Sequence, residues 1–143
     1  MKVAAMQIDE SEALNIRDAV ENRQPLDFFC YTLNADQKSR FQTILKIFLD
    51  ACDQSYLYNY LSYCLLELLD NASKANAKRI FFQEQNLNIN DESDYSSGMK
   101  NFKENLSENK EHYKEELAAG RLQVHLQLSA DDVISLAVKK KKK

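Results

Sequence analysis

Two residues in this chain have the type and spacing for site chemistry. Glu67 and Asn71 stand four apart within LLELLDNASKANAKRIFF, residues 65–82. At 3.6 residues per turn, positions four apart share a helix face, so a carboxylate and an amide would lie one above the other. The stretch is otherwise rich in leucine and alanine, and polar groups there need hydrogen-bond partners or water. A metal ion, a water molecule or a bound polar ligand would meet that need. An ordinary core helix whose end reads Asp-Asn-Ala would carry the same residues with no site. Beyond the small residues Ala72 to Ala77, the apolar run Ile80-Phe81-Phe82 predicts a short strand.

Other chemistry-bearing residues are less well arranged. Cys30, Cys52 and Cys64 are far apart, form no Cys-x-x-Cys, and have neither His112 nor His125 at ligand spacing, which argues against zinc. Cys52 and Cys64 fall in apolar helical stretches, where a free thiol behaves as a small hydrophobe, and this predicts a reducing compartment. The acidic run Asp91-Glu92-Ser93-Asp94 lacks a calcium loop's glycine at position six and glutamate at position twelve, where Ser96 and Phe102 stand. A solvated acidic loop is expected. With no His/Asp/Glu cluster at ligand spacing, a metal hydrolase is disfavoured.

Glu67-Leu68-Leu69-Asp70-Asn71-Ala72, followed by Ala75 and Asn76-Ala77-Lys78-Arg79-Ile80, resembles the asparagine box of the GHKL ATPases. That superfamily comprises sensor histidine kinases, type II topoisomerases, chaperone ATPases and mismatch-repair ATPases. The resemblance covers about eighteen of the 143 residues. It implies ATP and magnesium as cofactors, with Asn71 coordinating the magnesium that bridges the nucleotide phosphates. It further implies that Glu67 orients or activates the reacting group as the catalytic residue, and that Lys74 joins Asn71 in holding the nucleotide.

The same resemblance fails further along. The family's second hairpin strand ends in Asp-x-Gly-x-Gly, whose aspartate reads adenine, and a later glycine cluster forms a lid. Here the strand predicted over Val133–Val138 runs into Lys139–Lys143, and the chain's glycines are Gly98 and Gly120 alone. His112 is followed by Tyr113-Lys114 and departs from the phosphoacceptor pattern of sensor kinases.

Composition sets wider bounds. A chain of 143 residues, 44% hydrophobic and 29% charged, suits one soluble domain with a real core. Only 2 Gly and 1 Pro predict long helices and few tight turns. The net charge of −3 conceals an asymmetry: without the five lysines at 139–143, 14 basic residues face 22 acidic ones, a body charge of −8. An acidic body is a poor partner for nucleic acid. Neither a leader pattern nor a bilayer-spanning apolar run is present in the sequence, so a cytoplasmic protein without a membrane span is expected.

The elements that must position Glu67 and Asn71 follow from periodicity. Ser11 predicts the cap of a helix running to Asn22, which Pro25 closes off. Leu26–Leu33 (LDFFCYTL) reads as a strand or packed extended segment, and Asn34 or Asp36 as the next cap. Phe41, Ile44, Leu45, Ile47, Phe48, Leu49 and Cys52 mark an amphipathic helix. After a break at Asp53–Ser55, a second helix capped by Ser55 carries Leu57, Leu61, Cys64, Leu65 and Leu68, and the two should form an antiparallel hairpin. Tyr56, Tyr58, Tyr60 and Tyr63 thicken that helix by partial burial or offer a homodimer face. Gln83–Gly98 reads as a loop, and Met99–Ala119 as one helix with Phe102, Leu106, Tyr113 and Leu117 inward, ended by Gly120. Arg121–Leu128 alternates as a strand with His125 on the solvated face, Ser129–Asp132 turns, and Val133–Val138 returns.

The expected fold is therefore α+β, a helical hairpin plus a long helix on a small, mostly antiparallel sheet. It resembles a partial GHKL ATPase fold. Residues 1–33 form an N-terminal segment packing on the core, 34–138 an incomplete histidine-kinase-like ATPase domain, and 139–143 a lysine tail. The expected function is a histidine-kinase-like ATP-binding domain of a cytoplasmic signalling protein, with a signalling protein as partner. Lacking glycine boxes, it would be inactive alone, either as the front part of a larger domain or as a degenerate relative. The alternative is a non-enzymatic interaction domain, dimeric through its tyrosines, that kept the fold.

Overall fold

The longest element in the computed structural model, which describes residues 8–31, 33–118, 122–130 and 134–142, is the helix α3 over Tyr58–Glu84. Before it come α1 (Glu10–Glu21), β1 (Leu26–Cys30) and α2 (Ala35–Ala51), and after it α4 (Glu92–Glu108), α5 (Lys110–Ala118), β2 (Leu122–Ala130) and β3 (Ile134–Lys142). The fold class is α+β, as the sequence predicts. The strands form one antiparallel sheet in the order β1-β2-β3, with Phe28 opposite Leu126 and Leu128 opposite Leu136.

The helix ends follow side-chain chemistry. Asp9, rather than Ser11, caps α1 by accepting from the Glu12 N–H at 2.8 Å, and Asn34 caps α2 by accepting from the Gln37 N–H at 2.8 Å. Helices α1, α2 and α3 close on Arg23, Asp53 and Asn86, all with positive φ. At Asn86 the Leu87 N–H donates to the Phe82 carbonyl at 2.9 Å and the Asn86 N–H to that of Gln83 at 3.2 Å. This is the left-handed helix stop that glycine usually supplies, made without one.

Helices α2 and α3 form the expected antiparallel hairpin. Lys38 Nζ pairs with Asp70 at 3.0 Å, Gln42 donates to the Ser62 hydroxyl at 3.1 Å, and Lys46 sits over the Tyr58 ring. A 3-10 turn over Ser55–Leu57 joins them, and the Ser55 hydroxyl donates to Asp50. The core stripe of α3 is rotated from the predicted one: Leu65 and Leu69 are sealed, whereas Leu68 is 41% exposed.

Two cores flank α3. The larger joins Ile16 of α1, the inner face of α2, Leu65, Leu69 and Ala72 of α3, and the sheet residues Cys30, Val124, Leu126 and Leu128. Ile16 of α1 and Cys30 of β1 thus both reach this core. The smaller core joins Ala77, Ile80, Phe81 and Phe82 of α3 to Phe102 of α4 and Tyr113 of α5. Between them lies Asn76, 0% exposed, with neither amide atom hydrogen-bonded to any described residue.

The smaller core corrects three expectations. Ile80–Phe82 is helix, not strand: no glycine or proline interrupts α3, and its aromatic end has helices to pack against. Only residues 85–91 of the predicted loop connect α3 to α4, because Asp91 caps α4 by accepting from the Asp94 N–H at 2.9 Å. The single helix over 99–119 is two, broken at Asn109, whose side chain and backbone N–H both donate to the Asn105 carbonyl at 3.0 Å and so cap the end of α4.

Two further differences concern the sheet. Strand β3 extends to Lys142, beyond the predicted end at Val138, because β2 is long enough to pair it, Leu122 facing Lys142. His125 is buried, not solvated. It stacks on Phe29 with centroids 4.4 Å apart and donates to Asp27 at 2.7 Å. Gly120 and residues 131–133, including the predicted turn's end and Val133, lie outside the described residues.

Candidate functional site

One stripe of α3 carries Glu67, Asn71 and Lys74, the three residues expected to form a site. Tyr56 precedes the helix, and Tyr60, Tyr63, Glu67, Asn71, Lys74 and Lys78 continue the line at steps of three and four, which keeps them on one face. Glu67 and Asn71 therefore share a face, as their spacing predicts, and both are exposed. Asp70 is turned away and tied to Lys38, so its carboxylate fastens α3 to α2.

At its C-terminal half this stripe meets α4 and α5 and forms one wall of a groove of about 500 Å³. Ala75 of α3 with Met99, Phe102 and Leu106 of α4 make the apolar floor. Asn71 and Ser107 contribute neutral polar groups, and Lys74, Lys78, Lys103 and Lys110 contribute four ammonium-bearing chains. Among the described residues no carboxylate lines it. The sequence-predicted residues Asn71 and Lys74 are thus brought together, while Glu67, one turn earlier, lies outside the lining.

Only one of the four lysines has a partner among the described residues. Lys78 Nζ lies 3.4 Å from the Tyr95 hydroxyl and 5.3 Å above the Tyr95 ring centre. A second groove of about 390 Å³ shares Lys74, Leu106 and Lys110 with the first and is walled by Tyr113, Leu117 and Glu111. Burial, helped by the Glu84 carboxylate, raises the Tyr113 hydroxyl above its ordinary value of 10.0, so it stays protonated and donates to Asn105 Oδ1 at 2.6 Å. Near this wall His112 pairs with Glu84 across the α3–α5 contact, which gives that histidine a structural partner.

Magnesium, which the family resemblance implies, is a poor fit to this lining. The ion takes six oxygen ligands and is usually anchored by carboxylates alongside phosphates. The groove offers one amide oxygen and one hydroxyl among four lysines. Among the described residues no group of three or more His, Cys, Asp and Glu is placed to hold a metal.

Sequence reasoning missed Lys78, Lys103 and Lys110. Lys103 and Lys110 are seven apart, a spacing that returns to the same helix face, but they lie in a lysine- and glutamate-rich segment that reads as solvated. It also missed the Asp27–His125–Phe29 cluster, whose members are brought together only by the register of β1 on β2.

The chain is 45% identical over 98 residues to a protein of Treponema pallidum (strain Nichols) described as "Uncharacterized protein". The match covers 68% of this chain and 19% of that protein, so the chain spans about a fifth of the relative's length. No protein-family model matches the chain. No solved structure matches it. Among the described residues no helix is long and apolar enough to cross a membrane.

Proposed function

We propose that this chain is a nucleotide-binding module of the histidine-kinase-like type, part of a larger cytoplasmic signalling protein, that binds ATP in the groove between α3, α4 and α5. The observation carrying this reading is that Asn71 and Lys74, the two box residues assigned to the nucleotide, line the same groove as Lys78, Lys103 and Lys110. Phosphate oxygens would be met by ammonium groups and the Asn71 amide, and the base by the apolar floor. The reading is one of binding and not of turnover, since Glu67 lies outside the groove lining. Two departures from the family limit it to this form: α3 continues as helix where the family has a strand, and glycine boxes are lacking.

Calorimetric titration of the chain with ATP, in EDTA and in excess magnesium, tests this. Asn71→Ala and Lys74→Ala should each weaken binding roughly tenfold or more, the usual loss of one hydrogen bond to a charged group. A chain giving neither heat nor a thermal shift in either buffer is not an ATP binder.

A second reading, a non-enzymatic interaction domain, is favoured by Tyr56, Tyr60 and Tyr63, which are 78%, 68% and 68% exposed on one line. Such a tyrosine band suits a protein interface, including one between two copies of the chain. Sedimentation as a monomer at high concentration, with unchanged tyrosine fluorescence on dilution, would remove the homodimer.

A further inference from the structure

We propose that the groove holds the polyphosphate chain of its ligand as the metal-free anion, through the ammonium groups of Lys74, Lys103 and Lys110. The proposal rests on the nucleotide reading and puts lysines where the family resemblance puts magnesium. Each of the three comes from a different helix, α3, α4 and α5, and each is exposed and without an ion pair among the described residues. The chain as a whole is acidic, at −3, so a carboxylate-free patch of lysines is not its average surface.

Charge decides between metal and anion here. A divalent cation entering this groove would approach several ammonium groups with two neutral oxygens as protein ligands, Asn71 Oδ1 and the Ser107 hydroxyl, and would be repelled. A polyphosphate entering the same place is attracted by every charge on the rim. The lysine ammonium is a compact point charge with three donors on a flexible stem, suited to following a chain of phosphates. The apolar floor of Phe102 and Leu106 keeps water from one side of that contact and strengthens it. Lys78, already on Tyr95, is left out of the set.

The test is calorimetry on the full chain with ATP and with sodium tripolyphosphate, each in EDTA and in excess magnesium at matched ionic strength. Both anions are expected to bind in EDTA and to lose several-fold in affinity when magnesium neutralises them. Lys103→Ala and Lys110→Ala should each weaken binding roughly tenfold, the scale of a charge-assisted hydrogen bond, with melting temperature unchanged because both side chains are exposed. Nucleotide bound only in magnesium overturns this inference and leaves the nucleotide reading standing. Binding that survives both lysine substitutions also overturns it. Absence of binding by either anion in either buffer overturns both.

Discussion

The ring of His125 donates from Nε2 to Asp27 Oδ1 at 2.7 Å, although 98 residues separate the two in the chain. Register makes the meeting: His125 stands directly opposite Phe29, on which it stacks, and Asp27 is the diagonal neighbour two residues back. Gln127 also donates to Asp27 Oδ1, at 3.1 Å. Asp27→Ala would leave a buried imidazole short of its acceptor, at a cost of about 1–3 kcal/mol in chemical denaturation. His125→Phe keeps the stacking on Phe29 and removes the ring's polar atoms along with the bond, so it should cost less than Asp27→Ala. The reverse order would show that the hydrogen bond contributes little.

Gly98 marks a close approach of α4 to α3. A Cβ built there would lie 2.5 Å from Phe82 Cζ and 3.0 Å from both Cε atoms, so α4 crosses α3 on the face of that ring. Phe82 is itself 2% exposed and has nowhere to retreat. Gly98→Ala should therefore destabilise by about 1–3 kcal/mol, despite alanine's better helix propensity. Phe82→Leu in the same background should recover part of the loss, measured as urea midpoints.

Acid should loosen α1 from α2. The Glu12 carboxylate takes both arms of the Arg40 guanidinium, at 2.6 and 3.2 Å, and that bond holds its pKa below the ordinary 4.5. A lowered folded-state value means stability that is present above 4.5 and lost as pH falls through the lowered value. The pair is partly exposed, so solvent screening keeps the contribution under about 1 kcal/mol. Glu12→Gln should remove that step from a plot of melting temperature against pH between neutral and strongly acidic buffer, while leaving the alkaline side unchanged.

The parts of this fold that periodicity could reach are those built from long, regular patterns. The α2–α3 hairpin and the inward face of Phe102, Leu106, Tyr113 and Leu117 were legible, and Asn34 was one of the two caps offered for α2. Ile80-Phe81-Phe82 was not, because three apolar residues in a row satisfy either a strand or the end of a buried helix. What settles it is α4, and the first half of α4 (ESDYSSGM) has the composition of a loop. Its cap at Asp91 and the close fit of Gly98 on Phe82 are what make it helix. His125 was misplaced for a related reason: alternation assigned its face correctly, but a cross-strand partner far back in the chain decides its burial. At the site, Asn71 stood out through its spacing from Glu67, and Lys74 through the family resemblance alone. The lysines of α4 and α5 did not, since their relation to α3 exists only after packing.

Helix α3 runs 27 residues, about 40 Å at 1.5 Å per residue, and serves two cores in succession. Among the described residues the sheet closes on its first half, and α4 and α5 pack on its C-terminal turns. Regions of unequal packing open with unequal free energies, so amide exchange should divide this molecule into a slow half and a fast half with Asn76 at the border. The groove straddles helices from the faster half. A ligand bridging Lys74, Lys103 and Lys110 would therefore act as a clasp, and its arrival would be registered in the protection of α4 and α5 while the sheet stayed as it was.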